Sequence, residues 1–385
     1  MYKVASSAAS LDDIFEYLFG IFFGKGFVDP EFYRRSVENI YQVPYFYYSQ
    51  ITQRGALPDN NVEPLSIEAI AWCYRIFLQR EPESIDMIID HLTKFENRNQ
   101  LFGRFLFSPE FSTTQIRHLK TAFPDAKRYL LAHIPKTAGT SLREWVFEKV
   151  SNAVCVHDVK DVKRRIVADF ERAKEQLVIS GHMPWPIWMV SPQDKVYSVL
   201  REPVARAVSF YKYLGKLAIN PDPREIAFFE HLLGRSFSEM MQTTMWLPSS
   251  EQCHYLSNEG TFQAVIANTK AFDLSICTMS NIATLARKLA DELGFEYSEL
   301  PRYNHTDGFE WPSYSLDELT CFFENNKEDF LLYAYMNALE SRSVEVAQAD
   351  MAPEPIAVQQ VAEEFESADE SEAGAVESEA RAVLH

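Results

Sequence analysis

The stretch His133-Ile-Pro-Lys136-Thr137-Ala138-Gly139-Thr140-Ser141 has the residue types of an anion cradle. It follows an apolar run, Tyr129 to Ala132, that reads as a buried strand, and it precedes Leu142 to Phe147, which reads as the start of a helix. In a strand, small-residue loop and helix of this kind, the loop and first-turn N–H groups converge on one point. The helix dipole favours negative charge there. Lys136 adds a mobile cation, and Thr140 and Ser141 add hydroxyl donors. The chemistry expected is the binding of a phosphate and the neutralisation of charge that builds on it.

Two further strand ends carry reactive groups. Lys195 to Leu200 is an apolar run leading into Arg201-Glu-Pro203, with Ser209 eight positions after the arginine. A proline at a helix start fixes φ and gives up an N–H that would be unpaired anyway. An arginine in front of it can hold a phosphate bidentately, and Ser209, about two turns into the helix, can donate a hydroxyl to the same group. Between these loops, Leu177 to Gly181 is an apolar strand that ends at His182. An imidazole titrates near working pH and suits a general base. Open α/β sheets place their sites at such strand ends.

The order of residues in the first loop excludes the common nucleotide-triphosphatase pattern G-x-x-x-x-G-K-[ST], because here the lysine precedes the glycine. The loop resembles instead the 5′-phosphosulfate loop of sulfotransferases that use 3′-phosphoadenosine 5′-phosphosulfate (PAPS). It is most similar to the carbohydrate sulfotransferase group that includes heparan sulfate 2-O-sulfotransferase. Arg201 and Ser209 match that family's 3′-phosphate motif, and Gly181-His182 matches the strand end where its histidine is thought to act as base. The resemblance implies in-line transfer of a sulfuryl group from PAPS to a hydroxyl of a glycan. Lys136 and His182 would be catalytic, and Lys136, Thr137, Ala138, Gly139, Thr140, Ser141, Arg201 and Ser209 would bind the donor. Arg302-Tyr-Asn304-His305-Thr306 resembles a family loop near the nucleotide, which adds Asn304 and Thr306 to the binding set. The scheme needs no metal. A kinase-like phosphoryl transferase and a non-catalytic nucleotide-fold binding or scaffold protein are the alternatives.

Other residues carry weaker signals. His133, at a strand end, reads as a hydrogen-bonded core group, and His157-Asp158 as an exposed turn that is the runner-up source of a base. Gln252-Cys-His254-Tyr-Leu-Ser257 resembles a family segment loosely, and Asp329-Phe-Leu-Leu-Tyr333 resembles the family's closing helix, with a packing role expected. Acceptor contacts are expected in 212–250, where Lys212, Lys216, Arg224 and Arg235 can meet an anionic sugar or form a solvated face.

The chain has 385 residues, 46 % of them hydrophobic and 14 % aromatic, enough for two domains and a sizeable core. Residues 345–385 hold eleven acids against Arg381, so −10 of the net charge of −18 lies there. This segment is poor in aromatics and is expected to be disordered. An acidic chain argues against nucleic acid as a partner. The five scattered cysteines, without C-x-x-C spacing, point to a reducing compartment and no zinc site. No run reaches the length of a membrane span, and the N-terminus is a poor signal peptide. The family's animal Golgi members carry a membrane anchor, so a soluble bacterial protein is expected, cytoplasmic or at the inner membrane surface.

The elements that must position these residues follow from the pattern. Strands are expected at 128–134, 154–157, 177–181, 196–200 and 272–277, alternating with helices. That alternation implies an α/β fold with a P-loop-type, mainly parallel sheet flanked by helices. An all-α domain is expected ahead of it. Ile67, Ile70, Tyr74 and Phe77 mark one helix face and Ile85, Ile88, Ile89 and Leu92 a second. A third helix is expected from Leu101 to Phe107, ending at Ser108-Pro109. These helices resemble a small bacterial module of unknown function, for which a protein partner is the functional expectation. The division expected is 1–120 helical, 125–340 sulfotransferase-like and 341–385 tail.

Overall fold

A computed structural model describes residues 65–95, 101, 104–105, 108–156, 169–220, 229, 232–243, 249–301 and 311–349. It contains a five-stranded parallel sheet flanked by helices, which bears out the α/β class. The strands are β1 (Lys127–Ala132), β2 (Ala153–Cys155), β3 (Gln176–Gly181), β4 (Asp194–Leu200) and β5 (Asp273–Thr278), in the order β2-β3-β1-β4-β5. β1 to β4 are buried but for at most one residue at or near an end, as expected of apolar runs covered on both faces, whereas Ser275 and Ile276 within β5 are half-buried. Cys155 in β2 and Cys277 in β5 are buried thiols, and none of the five cysteines is in a disulfide.

The helices are α1 (Ile67–Cys73), α2 (Ile85–Lys94), α3 (Pro109–Ala122), α4 (Gly139–Lys149), α5 (Phe170–Glu175), α6 (Trp185–Trp188), α7 (Pro203–Ile219), α8 (Phe237–Met241), α9 (Glu251–Leu256), α10 (Phe262–Ala271), α11 (Ile282–Leu293), α12 (Leu316–Asn325) and α13 (Lys327–Ala349). Among the described residues, no helix is long and apolar enough to cross a membrane.

The chain forms two compact units. The first comprises 1–127 with 151–181 and 187–189, and the second 128–150 with 182–186 and 190–385. In the first unit the described residues ahead of β1 are helical. Ile70, Tyr74 and Phe77 are buried as their spacing predicts, with a π-helical turn over Tyr74–Leu78. Ile67, Ile85 and Ile89 are instead 52 %, 55 % and 47 % exposed. Ile67 and Ile85 are the first residues of their helices, where a side chain has no preceding turn to pack over. Ser108-Pro109, read as a helix end, is a helix start. The Ser108 hydroxyl accepts from the Phe111 N–H at 3.1 Å and Pro109 occupies the first helical position of α3.

In the second unit, α7 packs Val204, Ala207, Val208, Phe210 and Leu214 against α8 and against Phe322 and Phe330 of α12 and α13. Helix α13 runs past residue 340 to Ala349, and Glu340 accepts from both the N–H and the hydroxyl of Thr278 at the end of β5. The register of β1 on β4 is fixed where Arg128 faces Asp194. Their side chains form a fully buried ion pair at 2.6 Å, and the Ser191 N–H and hydroxyl donate to the other carboxylate oxygen, each at 2.9 Å. A one-residue slip would separate the two charges in the core. Arg128→Leu strands the carboxylate without its counter-charge. Urea denaturation is expected to show a loss of about 3 kcal/mol, the low end for a broken buried pair because the Ser191 bonds persist. A loss below about 1 kcal/mol would show that the pair does not hold the register.

Candidate active site

β1 ends at Ala132 and the chain turns through His133 to Ala138 into α4. Lys136 and Ala138 adopt left-handed φ angles of 69° and 66°. Each costs a non-glycine residue of order 1 kcal/mol, and strain of this kind collects at functional loops. Ala138 is the N-cap of α4 and supplies no side-chain acceptor. The first-turn amides are therefore not closed off by a capping side chain, and the positive end of the helix dipole faces the loop. Gly139 has a steric reason. A Cβ there would lie 1.9 Å from Cδ2 of the buried His133 ring, so no larger residue fits. The Thr137 hydroxyl donates inward to the Ile134 carbonyl at 2.9 Å, which leaves its backbone as the part able to meet a ligand.

Both other strand ends attach to this loop. The Arg201 guanidinium donates to the Lys136 carbonyl at 3.1 Å. His182, half-buried, makes a 2.8 Å hydrogen bond from Nδ1 to the His133 carbonyl, and its ring lies 3.8 Å centroid to centroid from the His133 ring. A carbonyl only accepts, so Nδ1 carries the proton and Nε2 is the basic nitrogen. Burial pushes the Arg201 guanidinium below its ordinary value, but arginine starts so high that the charge remains.

Helix α7 is capped differently from α4. Both oxygens of Glu202 accept from the Val204 and Ala205 amides, so these amides are already taken by a carboxylate. Burial raises the affinity of that carboxyl for its proton. A phosphate at this end would rely on Arg201 and on side chains of the α7 surface. Glu202, Ala205, Ser209 and Tyr213 form a half-buried stripe at three- and four-residue steps. The Lys136 ammonium sits 4.6 Å from the Tyr213 ring centroid, one turn from Ser209. The Lys136 loop and the Ser209 face of α7 therefore meet through Tyr213.

No protein-family model, curated protein or solved structure matches this chain. Lys136, Gly139, Thr140, Ser141, His182, Arg201 and Ser209 all belong to the second unit. Asn304 and Thr306 lie outside the described residues, as do Arg302, His305 and His157. His133 is buried, as expected of a core group. Lys212 is buried within α7 and does not lie on a solvated face, whereas Lys216 is exposed.

Tyr213 has no signal in the sequence, and Gln252 stands there only as the first residue of a segment that loosely resembles the family. Gln252 Oε1 accepts from the Arg201 N–H and its Nε2 donates to the Arg201 carbonyl, each at 3.0 Å. Cys253, beside it, and Cys277 are pushed by burial to higher thiol values, so both stay protonated and unreactive. The arrangement offers an uncapped helix start with a lysine, an arginine and hydroxyls for an anionic ligand, and an imidazole nitrogen, His182 Nε2, for a proton.

Proposed function

We propose that the protein is a sulfotransferase that moves the sulfuryl group of PAPS to a hydroxyl of a glycan by in-line transfer. The observation that carries this reading is the convergence of three strand ends on one short loop. Arg201 and His182 bond to the carbonyls of Lys136 and His133, within the stretch read as the phosphate cradle. The strand order supports a P-loop-type core. β1 is central, the chain goes from it to β2 and β3 on one side and returns to β4 and β5 on the other, and the loop after β1 stands where the order reverses. The N-terminal helices are assigned as an all-α domain that docks a protein partner.

The donor supplies a sulfuryl group activated by its anhydride bond to the 5′-phosphate. Lys136 and the amides at the start of α4 neutralise the charge that the departing phosphate gains as its bond to sulfur breaks. Arg201 and Ser209 hold the 3′-phosphate and fix orientation. His182 Nε2 takes the proton of the acceptor hydroxyl while its oxygen bonds to sulfur.

Calorimetry with 3′-phosphoadenosine 5′-phosphate, the desulfated product, tests the donor class. Binding is expected to exceed that of ADP, and Arg201→Ala is expected to remove most of the preference. A wild-type protein that binds both nucleotides equally, or neither, would overturn the reading and favour a phosphoryl transferase or a scaffold.

A further inference from the structure

We propose that Gln252 is a positioning residue for the donor's 3′-phosphate, acting through Arg201, and that Asp329 of α13 holds Gln252 in place. This rests on the sulfotransferase reading and deepens its account of how the 3′-phosphate is recognised.

The pairing of β4 with β5 ends at Leu200 and Thr278. Arg201 lies one residue beyond, where the sheet no longer supplies partners for its N–H and C=O. Gln252 supplies both, accepting from one and donating to the other at 3.0 Å, so that one side chain acts as an extra rung of the ladder. It can do so because it is fully buried and held from behind. Asp329, also fully buried, accepts the Gln252 N–H at 3.0 Å and the Cys253 N–H at 2.9 Å. Arg206 serves both buried carboxyls, bonding to Glu251 at 2.5 Å and lying 3.9 Å from Asp329, and burial raises the affinity of both acids for a proton. Helix α13, α9 and the end of β4 are thereby joined in one polar network, in which the buried Arg206 Nε–H is left without a hydrogen-bond partner.

The choice of an amide follows from what Arg201 must do. An apolar side chain would fill the space and leave two buried backbone groups unpaired. A carboxylate would lack the donor and would offer the guanidinium an anion in competition with phosphate. A neutral amide fixes the backbone and leaves the guanidinium, already steadied by the Lys136 carbonyl, to meet the ligand.

The test compares two nucleotides that differ only in the 3′-phosphate, 3′-phosphoadenosine 5′-phosphate and AMP, bound to the full chain. Wild type is expected to prefer the bisphosphate. Gln252→Met, which keeps length and loses both hydrogen bonds, is expected to reduce that preference about tenfold and leave AMP affinity within about twofold. In an Arg201→Ala background the same substitution is expected to change the preference no further, because the two act as one unit. If Gln252→Met keeps the full preference, or weakens both nucleotides in parallel as general damage would, the inference is wrong while the donor reading stands. If wild type shows no preference, the donor reading itself fails and the inference with it. Should circular dichroism show that Gln252→Met does not fold, Gln252→Glu is judged by the same ratios, since it keeps the acceptor for the Arg201 N–H and loses the donor.

Discussion

Lys136→Ala is expected to slow turnover of PAPS by about a hundred- to a thousandfold while changing the affinity for 3′-phosphoadenosine 5′-phosphate by less than about tenfold. The effect depends on when charge appears. The product nucleotide carries its phosphates whether or not the lysine is present, and the uncapped start of α4 and Arg201 still hold them. The charge that needs Lys136 develops only as the sulfur–oxygen bond breaks. In the structure the ammonium rests over Tyr213, a contact worth about 1 kcal/mol at a half-exposed position. A transition-state contact worth about 3–4 kcal/mol outweighs it, so the resting position does not block the catalytic one. Hydrolysis of radiolabelled PAPS to water reads this step without a glycan, and transfer to desulfated heparin reads it with one. Equal turnover by wild type and variant in both assays would remove Lys136 from the mechanism.

What the sequence could and could not disclose follows from the range of the interactions. Strands β1 to β5 were legible because strands buried on both faces are unbroken apolar runs, and the observed limits fall within one or two residues of the expected ones. The Lys136 loop was legible because small residues and a lysine stand side by side in the chain. Gln252 was not. Its partner Arg201 is 51 residues away and Asp329 is 77 residues away, and nothing in Glu251-Gln-Cys-His marks a side chain aimed at a distant backbone. Asp329 is expected from the sequence only to pack, yet its buried carboxyl caps α9 by accepting the Gln252 and Cys253 N–H groups.

Local rules also conflicted. Ser108-Pro109-Glu110 is a helix-start signal, but it follows an apolar run and was read as that run's end. Lys212 reads from the sequence either as a contact for an anionic sugar or as part of a solvated face. It lies inside a helix whose apolar side faces the core, and a long side chain there is covered along its stem.

His182→Asn is expected to lower the rate of sulfuryl transfer to a glycan by about a hundred- to ten-thousandfold at neutral pH. The donor should bind unchanged, because the proposed phosphate contacts are made by other residues. Asparagine is the informative replacement. Its side-chain N–H₂ can keep the bond to the His133 carbonyl that Nδ1 now makes at 2.8 Å, and it has nothing in place of the basic Nε2. A histidine that only braced the loop would therefore be rescued by asparagine, and one that takes a proton would not. The pH profile separates these roles further. Transfer by wild type should fall on the acid side as the imidazole becomes protonated and loses its lone pair. In His182→Asn the residual rate should not follow that limb. If the variant turns over at the wild-type rate, or keeps the same acid limb, the base is another group and His182 is a brace for the loop that follows β1.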